Sequence, residues 1–192
     1  MICAALLSFA IGVTAQTFTP VSELPEAKVP YSMDPALNSS TDGATMLIHL
    51  FSGLAKYDMA DGTGKVVPDI AKELPEAVSN GDGTYTYTYH LREDARWSDG
   101  VPVTAGDFEY AWKRAACNET EADYAYLFEF IDGFDGKAPE ETAMKVTAVD
   151  DHTLEVITIA DNVFWNDLLS FPVFLPVRKD IAENNSKWSE SA

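Results

Sequence analysis

The chain has 192 residues and 46% apolar content, enough for one substantial hydrophobic core. Acidic residues outnumber basic ones by 31 to 13, which gives a formal net charge of −18, and the basic residues form no cluster. A phosphate backbone would be repelled by such a chain, so the composition argues against nucleic-acid binding.

The N-terminus, residues 1–15, is interpreted as an export signal of atypical form. Residues 2–13 are apolar or small, a stretch too short to span a membrane, and residues 13–15 fit a small-residue cleavage rule. The usual positive segment is missing, because no Lys or Arg precedes Lys28. Removal of the signal would leave Cys117 as the only cysteine, so we expect no internal disulfide.

An irregular leading segment and then a helix are predicted next. Residues 17–30 carry three prolines and little periodicity. Asp34 precedes Pro35 and therefore avoids the helical conformation, which predicts a turn. Thr41 and Asp42 can cap a helix that follows. Its apolar stripe, expected to face the core, comprises Ala44, Leu47, Ile48 and Phe51.

Strands and a hairpin are predicted in the following stretch. Residues 54–58 form a short strand candidate before a turn at residues 61–64. The Asn-Gly-Asp-Gly sequence at residues 80–83 is typical of a hairpin loop. The returning strand places large side chains on one face: Tyr85, Tyr87, Tyr89 and Leu91. This row could be a stacking platform for a sugar or base, but filling one face of a half-buried strand is favoured.

A capped helix is predicted after the Asp99–Gly100 turn. Thr104 and Asp107 have the spacing of a capping box, and the basic residue Arg114 near the helix end suits the helix dipole. The stripe expected to be buried comprises Phe108, Ala111, Trp112 and Ala115.

The C-terminal part predicts a second hairpin and two helices. The hairpin covers residues 146–159 and turns at Asp150–Asp151. The helices cover residues 162–169 and 178–184, with two prolines between them.

Candidate chemistry is sparse. The three histidines His49, His90 and His152 lack the spacing of a zinc site, and no Gly-x-Ser-x-Gly sequence supports a serine hydrolase. We therefore predict no metal site, no cofactor and no enzymatic activity. Tyr124 is fitted by no clean periodicity, which leaves core packing and ligand contact equally open.

Residues 84–112 closely resemble the signature of the family 5 extracellular solute-binding proteins, the oligopeptide- and dipeptide-binding components of bacterial ABC importers. The strand, the Trp-Ser-Asp-Gly turn and the capped helix together carry this resemblance. Further matching motifs lie at residues 34–35, 49–54, 148–156 and 171–179.

The resemblance implies a mixed α/β fold of the type II periplasmic-binding architecture, incomplete because only its N-terminal part is expected here. Residues 16–58 would begin the ligand-binding lobe, residues 59–165 would form a smaller accessory lobe, and residues 166–192 would return into the first lobe. The resemblance further implies an exported protein in the periplasm or at the bacterial cell surface.

The resemblance also implies a binding site. Four residues would lie on the peptide-facing strand after the Asp34–Pro35 turn: Asn38, Ser39, Ser40 and Thr41. Relatives can carry an acidic residue at the place of Ser39, where it meets the ligand's amino terminus. Tyr124 matches a tyrosine that contacts the ligand. The implied mechanism is addition of an extended peptide to a strand through main-chain hydrogen bonds.

The implied partners are an oligopeptide ligand and the ABC permease subunits, through which the protein would be membrane-peripheral. Within the fold, a binder of nickel chelates or oligosaccharides is the alternative. From other classes, a secreted carbohydrate-active enzyme with paired carboxylates and an interaction module that binds no small ligand remain open.

Overall fold

The computed structural model describes residues 32–60, 62, 64–185 and 188–189. The predicted export signal and the segment at residues 17–30 lie outside the described residues. The helices are α1 (Thr41–Leu50), α2 (Ala105–Ala116), α3 (Trp165–Leu168) and α4 (Lys179–Asn184), with 3-10 helices at Asn118–Thr120, Ala125–Phe130 and Pro172–Phe174. The strands are β1 (Ala55–Asp58), β2 (Lys65–Pro68), β3 (Val78–Ser79), β4 (Tyr85–His90), β5 (Val146–Asp150) and β6 (Thr153–Thr158).

The strands form two antiparallel sheets. Strands β1 and β2 pair as a two-stranded sheet, with Ala55 opposite Pro68. The second sheet has the order β3-β4-β6-β5, with Tyr87 opposite Val156 at its centre. In the described part of the chain, no helix combines the length and the apolar character that crossing a membrane requires. The predicted mixed α/β class is confirmed.

The first hairpin forms as predicted. The backbone N–H of Asn80 donates to the carbonyl of Thr84 across the loop. Tyr87 and Tyr89 are buried, and the hydroxyl of Tyr89 donates to Asn166 while it accepts the indole N–H of Trp165, both at 2.9 Å. Burial raises the pKa of Tyr89. These two tyrosines therefore fill the core, which confirms the structural interpretation of the row for them.

Helix α2 supplies the centre of the core. The backbone N–H of Thr104 donates to Asp107 Oδ2 at 2.8 Å, which confirms the predicted cap. Burial raises the pKa of Asp107, although its hydrogen bonds act in the opposite direction. All four residues of the predicted stripe are buried, and the Trp112 indole N–H donates to the carbonyl of Phe174 at 2.8 Å. That bond joins α2 to the 3-10 helix at Pro172–Phe174.

Helix α1 corrects two expectations. Its N-cap is Ser40, whereas Thr41 is already the first helical residue. Of the predicted stripe, Leu47 is fully buried, but Ile48 is 56% exposed. The reason is packing: α1 touches the short 3-10 helix at Pro172–Phe174, and so small a neighbour covers only a narrow line of the helix surface.

The C-terminal elements agree with prediction in kind and differ in length. The second hairpin forms as expected, but its turn lies at Asp151–His152, one residue beyond the predicted position, because Asp150 still pairs with Thr153. The helix predicted at residues 162–169 contracts to Trp165–Leu168, because Asn162 instead accepts the Phe164 N–H and forms a side-chain turn. The lobe boundaries stay predictions.

Candidate functional site

The segment from Asn38 to Thr41 forms a helix cap. Ser40 Oγ accepts the N–H of Gly43 at 3.0 Å and donates to Asn38 Oδ1 at 3.2 Å, while Asn38 Nδ2 donates to the carbonyl of Ser40 at 3.3 Å. The expectation of a strand here is wrong, because these side chains satisfy the free backbone groups at the start of α1. As ligand contacts, the four residues of the segment stay a prediction.

Gly43 allows this cap to close. A Cβ atom at this position would lie 1.8 Å from Asn38 Oδ1, far inside van der Waals contact. The Asn38 side chain is buried against the first turn of α1 as a result. Ser39, in contrast, is exposed, and neither its N–H nor its carbonyl has a hydrogen bond to any described residue.

An ion pair anchors the turn that precedes the cap. The Arg114 guanidinium donates to both carboxylate oxygens of Asp34, at 3.1 and 2.5 Å, and Asp34 Oδ1 also accepts the Ala36 N–H at 3.0 Å. The Asp34 side chain is 2% exposed. Burial disfavours the charged guanidinium, but the hydrogen bonds and charge of Asp34 outweigh it and raise the pKa of Arg114.

The sequence predicted the turn at Asp34 but missed this pair. Asp34 and Arg114 are 80 residues apart, and a single acid and a single base carry no signal of pairing over that distance. The helix dipole was a sufficient local explanation for Arg114.

Tyr124 lies beyond the C-terminal end of α2 and leads into the 3-10 helix at Ala125–Phe130. It is half-buried, and its ring makes an edge contact with Phe171 at a centroid distance of 4.8 Å. Tyr126, 55% exposed, lies 6.2 Å away. The sequence gave no indication that Phe171 would join this group.

Arg114 connects the two parts of the candidate site. Its side chain binds Asp34 ahead of the cap, and its carbonyl accepts the Thr120 hydroxyl at 2.6 Å on the way to Tyr124. Within the described ranges, no hydrogen bond or ring contact joins Tyr124 directly to residues 38–41. Both parts are thus attached to the C-terminal end of α2, and neither a hydrogen bond nor a ring contact among the described residues joins them.

The chemistry available here is that of recognition. Ser39 offers an unpaired N–H and carbonyl, and Tyr124, Tyr126 and Phe171 offer aromatic surface. The part of the chain that the structure describes has no group of three or more His, Cys, Asp or Glu residues that could hold a metal ion. Hydrogen bonds and aromatic packing are the interactions that Ser39 and the three aromatic side chains can provide.

Comparison with known proteins shows the family of this chain. Residues 65–192 match the model of the bacterial extracellular solute-binding proteins, family 5 Middle. The chain belongs to this family.

Curated relatives agree with the family. The chain is 36% identical over 163 residues to the dipeptide-binding protein DppE of Bacillus subtilis, covering 83% of this chain and 28% of that protein. It is 37% identical over 166 residues to the periplasmic oligopeptide-binding protein OppA of Escherichia coli, covering 83% and 29%. The chain therefore spans less than a third of the length of these relatives.

Solved structures support the architecture. Listeria monocytogenes OppA bound to peptide matches with a TM-score of 0.72 and 35% identity, over 84% of this chain and 31% of that one. The pheromone receptor PrgZ, described with its mode of peptide binding, matches with a TM-score of 0.74 and 28% identity, over 86% and 32%. The fold is thus that of part of a periplasmic-binding protein.

Proposed function

We propose that this chain is part of an exported, non-enzymatic binding protein that delivers oligopeptides to an ABC importer. One observation carries the proposal: the chain matches peptide-binding proteins such as the dipeptide- and oligopeptide-binding relatives over more than four-fifths of its length. A peptide-bound relative shares its fold at a TM-score of 0.72. The permease subunits would be the protein partners, and through them the protein would be membrane-peripheral.

The arrangement at the end of α2 is consistent with peptide recognition. Main-chain groups of a peptide need donors and acceptors that are not already used, and Ser39 offers both. Tyr124 would contact the peptide from the other side of the Arg114 anchor. The role of Asn38, Ser40 and Thr41 would then be to hold Ser39 in place, together with any contacts of their own.

The free energy of association limits how tightly this chain alone can bind a peptide. A main-chain hydrogen bond contributes about 1 kcal/mol net, whereas association costs roughly 4 to 15 kcal/mol. A few such bonds on one wall cannot exceed that cost. We expect the chain alone to bind peptide with a dissociation constant of about 1 mM or weaker, a gain of about 4 kcal/mol.

A hybrid protein provides the test. This chain would replace the matching part of Escherichia coli OppA, which supplies the remaining length, and peptide binding would be measured by calorimetry. Tyr124→Ala should weaken binding about tenfold, the range of a lost aromatic contact. Tyr87→Ala is the control, because Tyr87 is a buried core residue, and it should lower the melting temperature with little effect on affinity.

The outcomes separate site from function. Unchanged affinity in the Tyr124→Ala hybrid would show that the assigned site is wrong. A hybrid that folds and binds no peptide from a library of two to five residues would contradict the peptide-binding proposal as a whole.

A further inference from the structure

A cavity of about 560 Å³ lies between the C-terminal end of α1 and the segment that follows β4. Its volume is within the usual range for small-molecule sites, roughly 300–1,000 Å³. Two aromatic side chains, Phe51 and Trp97, form one wall in edge-to-face contact at 6.4 Å. Ser52 and Ser98 add hydroxyl groups. None of its lining residues belongs to the candidate peptide site.

Two arginines and two aspartates line this cavity, and Arg96 is the one of the four without an ion-pair partner among the described residues. Arg92 pairs with Asp94 at 3.1 Å, and Asp69 pairs with Lys56 at 3.0 Å. Arg96 has no carboxylate partner among the described residues and instead donates to the backbone carbonyls of Glu93 and Ala95 at 2.8 and 2.9 Å.

Arg96 differs in this respect from the other arginines of the chain. The chain has four arginines, and the other three, Arg92, Arg114 and Arg178, each bind a carboxylate. Among the described residues, Arg96 has no carboxylate beside it, although its side chain is exposed. Backbone carbonyls orient the guanidinium, and its charge is otherwise balanced by solvent alone. An anion in the cavity would supply the missing charge and a charge-assisted hydrogen bond.

A second cavity extends the first towards the C-terminus. It has a volume of about 300 Å³ and shares the side chains of Phe51, Trp97 and Ser98 with the first. Its far end is apolar, formed by Val177, Ile181 and Trp188. The one charged pair in its wall, Arg178 with Asp99, is already matched. The two cavities together make a groove with a cationic end at Arg96 and an apolar end at Ile181.

We propose that this groove binds an amphipathic monocarboxylate, such as a medium-chain fatty acid. The carboxylate would accept hydrogen bonds from Arg96, with Ser52 or Ser98 as a further donor, and the apolar body would lie along Phe51 and Trp97 towards Ile181. The site is separate from the proposed peptide site and does not depend on it. Because Arg96 is a single guanidinium without a carboxylate partner, the groove would favour a ligand with one carboxylate. The aromatic wall would favour a ligand with an apolar body.

Decanoate is the probe, with decanol as its uncharged match and decyltrimethylammonium as its cationic match. Each would be titrated into the 192-residue chain below its micelle concentration, followed by calorimetry and tryptophan fluorescence. Decanoate should bind about tenfold more tightly than decanol, as one exposed charge-assisted hydrogen bond predicts. The cationic probe should bind more weakly than either.

Variants locate the binding. Arg96→Gln should weaken decanoate binding about tenfold and leave decanol binding unchanged, while Arg96→Lys should retain part of the preference. Lys65→Gln is the control, because Lys65 also has no carboxylate partner among the described residues but does not line the groove. Ile181→Asp should weaken both decanoate and decanol.

Several results would overturn the proposal. They are equal binding of decanoate and decanol, the same loss in Lys65→Gln as in Arg96→Gln, and no decanoate binding at millimolar concentration. Should Arg96→Gln fail to fold, Ser98→Trp replaces it, because it fills the shared part of the groove from an exposed position. Unchanged decanoate binding in that variant contradicts the site equally.

Discussion

Two regions of the molecule, one around α2 and one around α1, differ in what covers the apolar stripe of the helix. The region around α2 is called the packed half below. Helix α2 lies against β5, β6 and all three 3-10 helices, and its stripe is buried. Helix α1 contacts the 3-10 helix at Pro172–Phe174, and apolar side chains on it and on the β1 segment remain exposed: Ile48 at 56%, Leu50 at 65%, Tyr57 at 55% and Met59 at 66%. Equal helical periodicity thus leads to unequal burial, because periodicity describes a face and not its neighbours.

The largest expected effect separates the two helices directly. Trp112→Ala should lower the free energy of unfolding by about 3–5 kcal/mol, because the indole is fully buried and its N–H bonds to Phe174. Ile48→Ala should change it by less than about 0.5 kcal/mol. Urea unfolding of both variants measures the contrast. Similar losses would mean that α1 is as tightly packed as α2.

The second effect concerns the ion pair that joins the two halves. Asp34→Ala should cost about 3 kcal/mol, because it leaves the partly buried Arg114 guanidinium without its carboxylate. In the double variant with Arg114→Ala, much of that loss should be recovered, with a coupling energy of about 1–3 kcal/mol. A double-mutant cycle in urea gives this value. Purely additive losses would show that the pair does not link the two halves energetically.

The third expectation concerns the exposed apolar side chains of Ile48, Leu50, Tyr57 and Met59. Ile48, Tyr57 and Met59 line one open cavity, and exposed apolar surface of this kind binds hydrophobic dyes and promotes association. Replacing Ile48 and Leu50 by Glu should reduce dye fluorescence and shift the chain towards monomer in ultracentrifugation. Val163→Glu is the matched control, since Val163 is 94% exposed but does not line this cavity. A monomeric parent chain without dye binding would contradict the expectation.

The smallest effect depends on pH and lies in the packed half. Asp135 accepts the Thr142 hydroxyl at 2.6 Å, and chiefly this bond holds the pKa of Asp135 below its ordinary value. A lowered folded-state pKa stabilises the fold above the unfolded pKa, about 3.9, and this contribution is lost as the pH falls towards the folded value.

Asp135→Asn should therefore lower the melting temperature at pH 7, and the melting temperatures of variant and parent chain should converge progressively as the pH falls below about 4. Asp123→Asn is the control, because Asp123 is exposed and has no hydrogen bond or ion pair among the described residues. Scanning calorimetry across this range tests both. A difference that grows as the pH falls would reverse the sign and refute the assignment.

The amino-acid sequence by itself determined the local elements that rest on neighbouring residues. The hairpin loop at residues 80–83, the Thr104–Asp107 cap and the buried stripe of α2 follow from spacings of two to four residues. The motifs in residues 84–112 also indicated the family. Such features can be predicted because turn chemistry, capping and periodicity act within a few residues.

The tertiary structure alone decided the features that depend on distant partners. Asp34 pairs with Arg114, 80 residues away, Phe171 packs against Tyr124, and Arg96 has no carboxylate partner among the described residues. The tertiary structure also leaves Ile48 exposed, and it makes residues 38–41 a helix cap instead of a strand. These outcomes depend on which surfaces meet once the chain has folded, and no local spacing in the sequence encodes that.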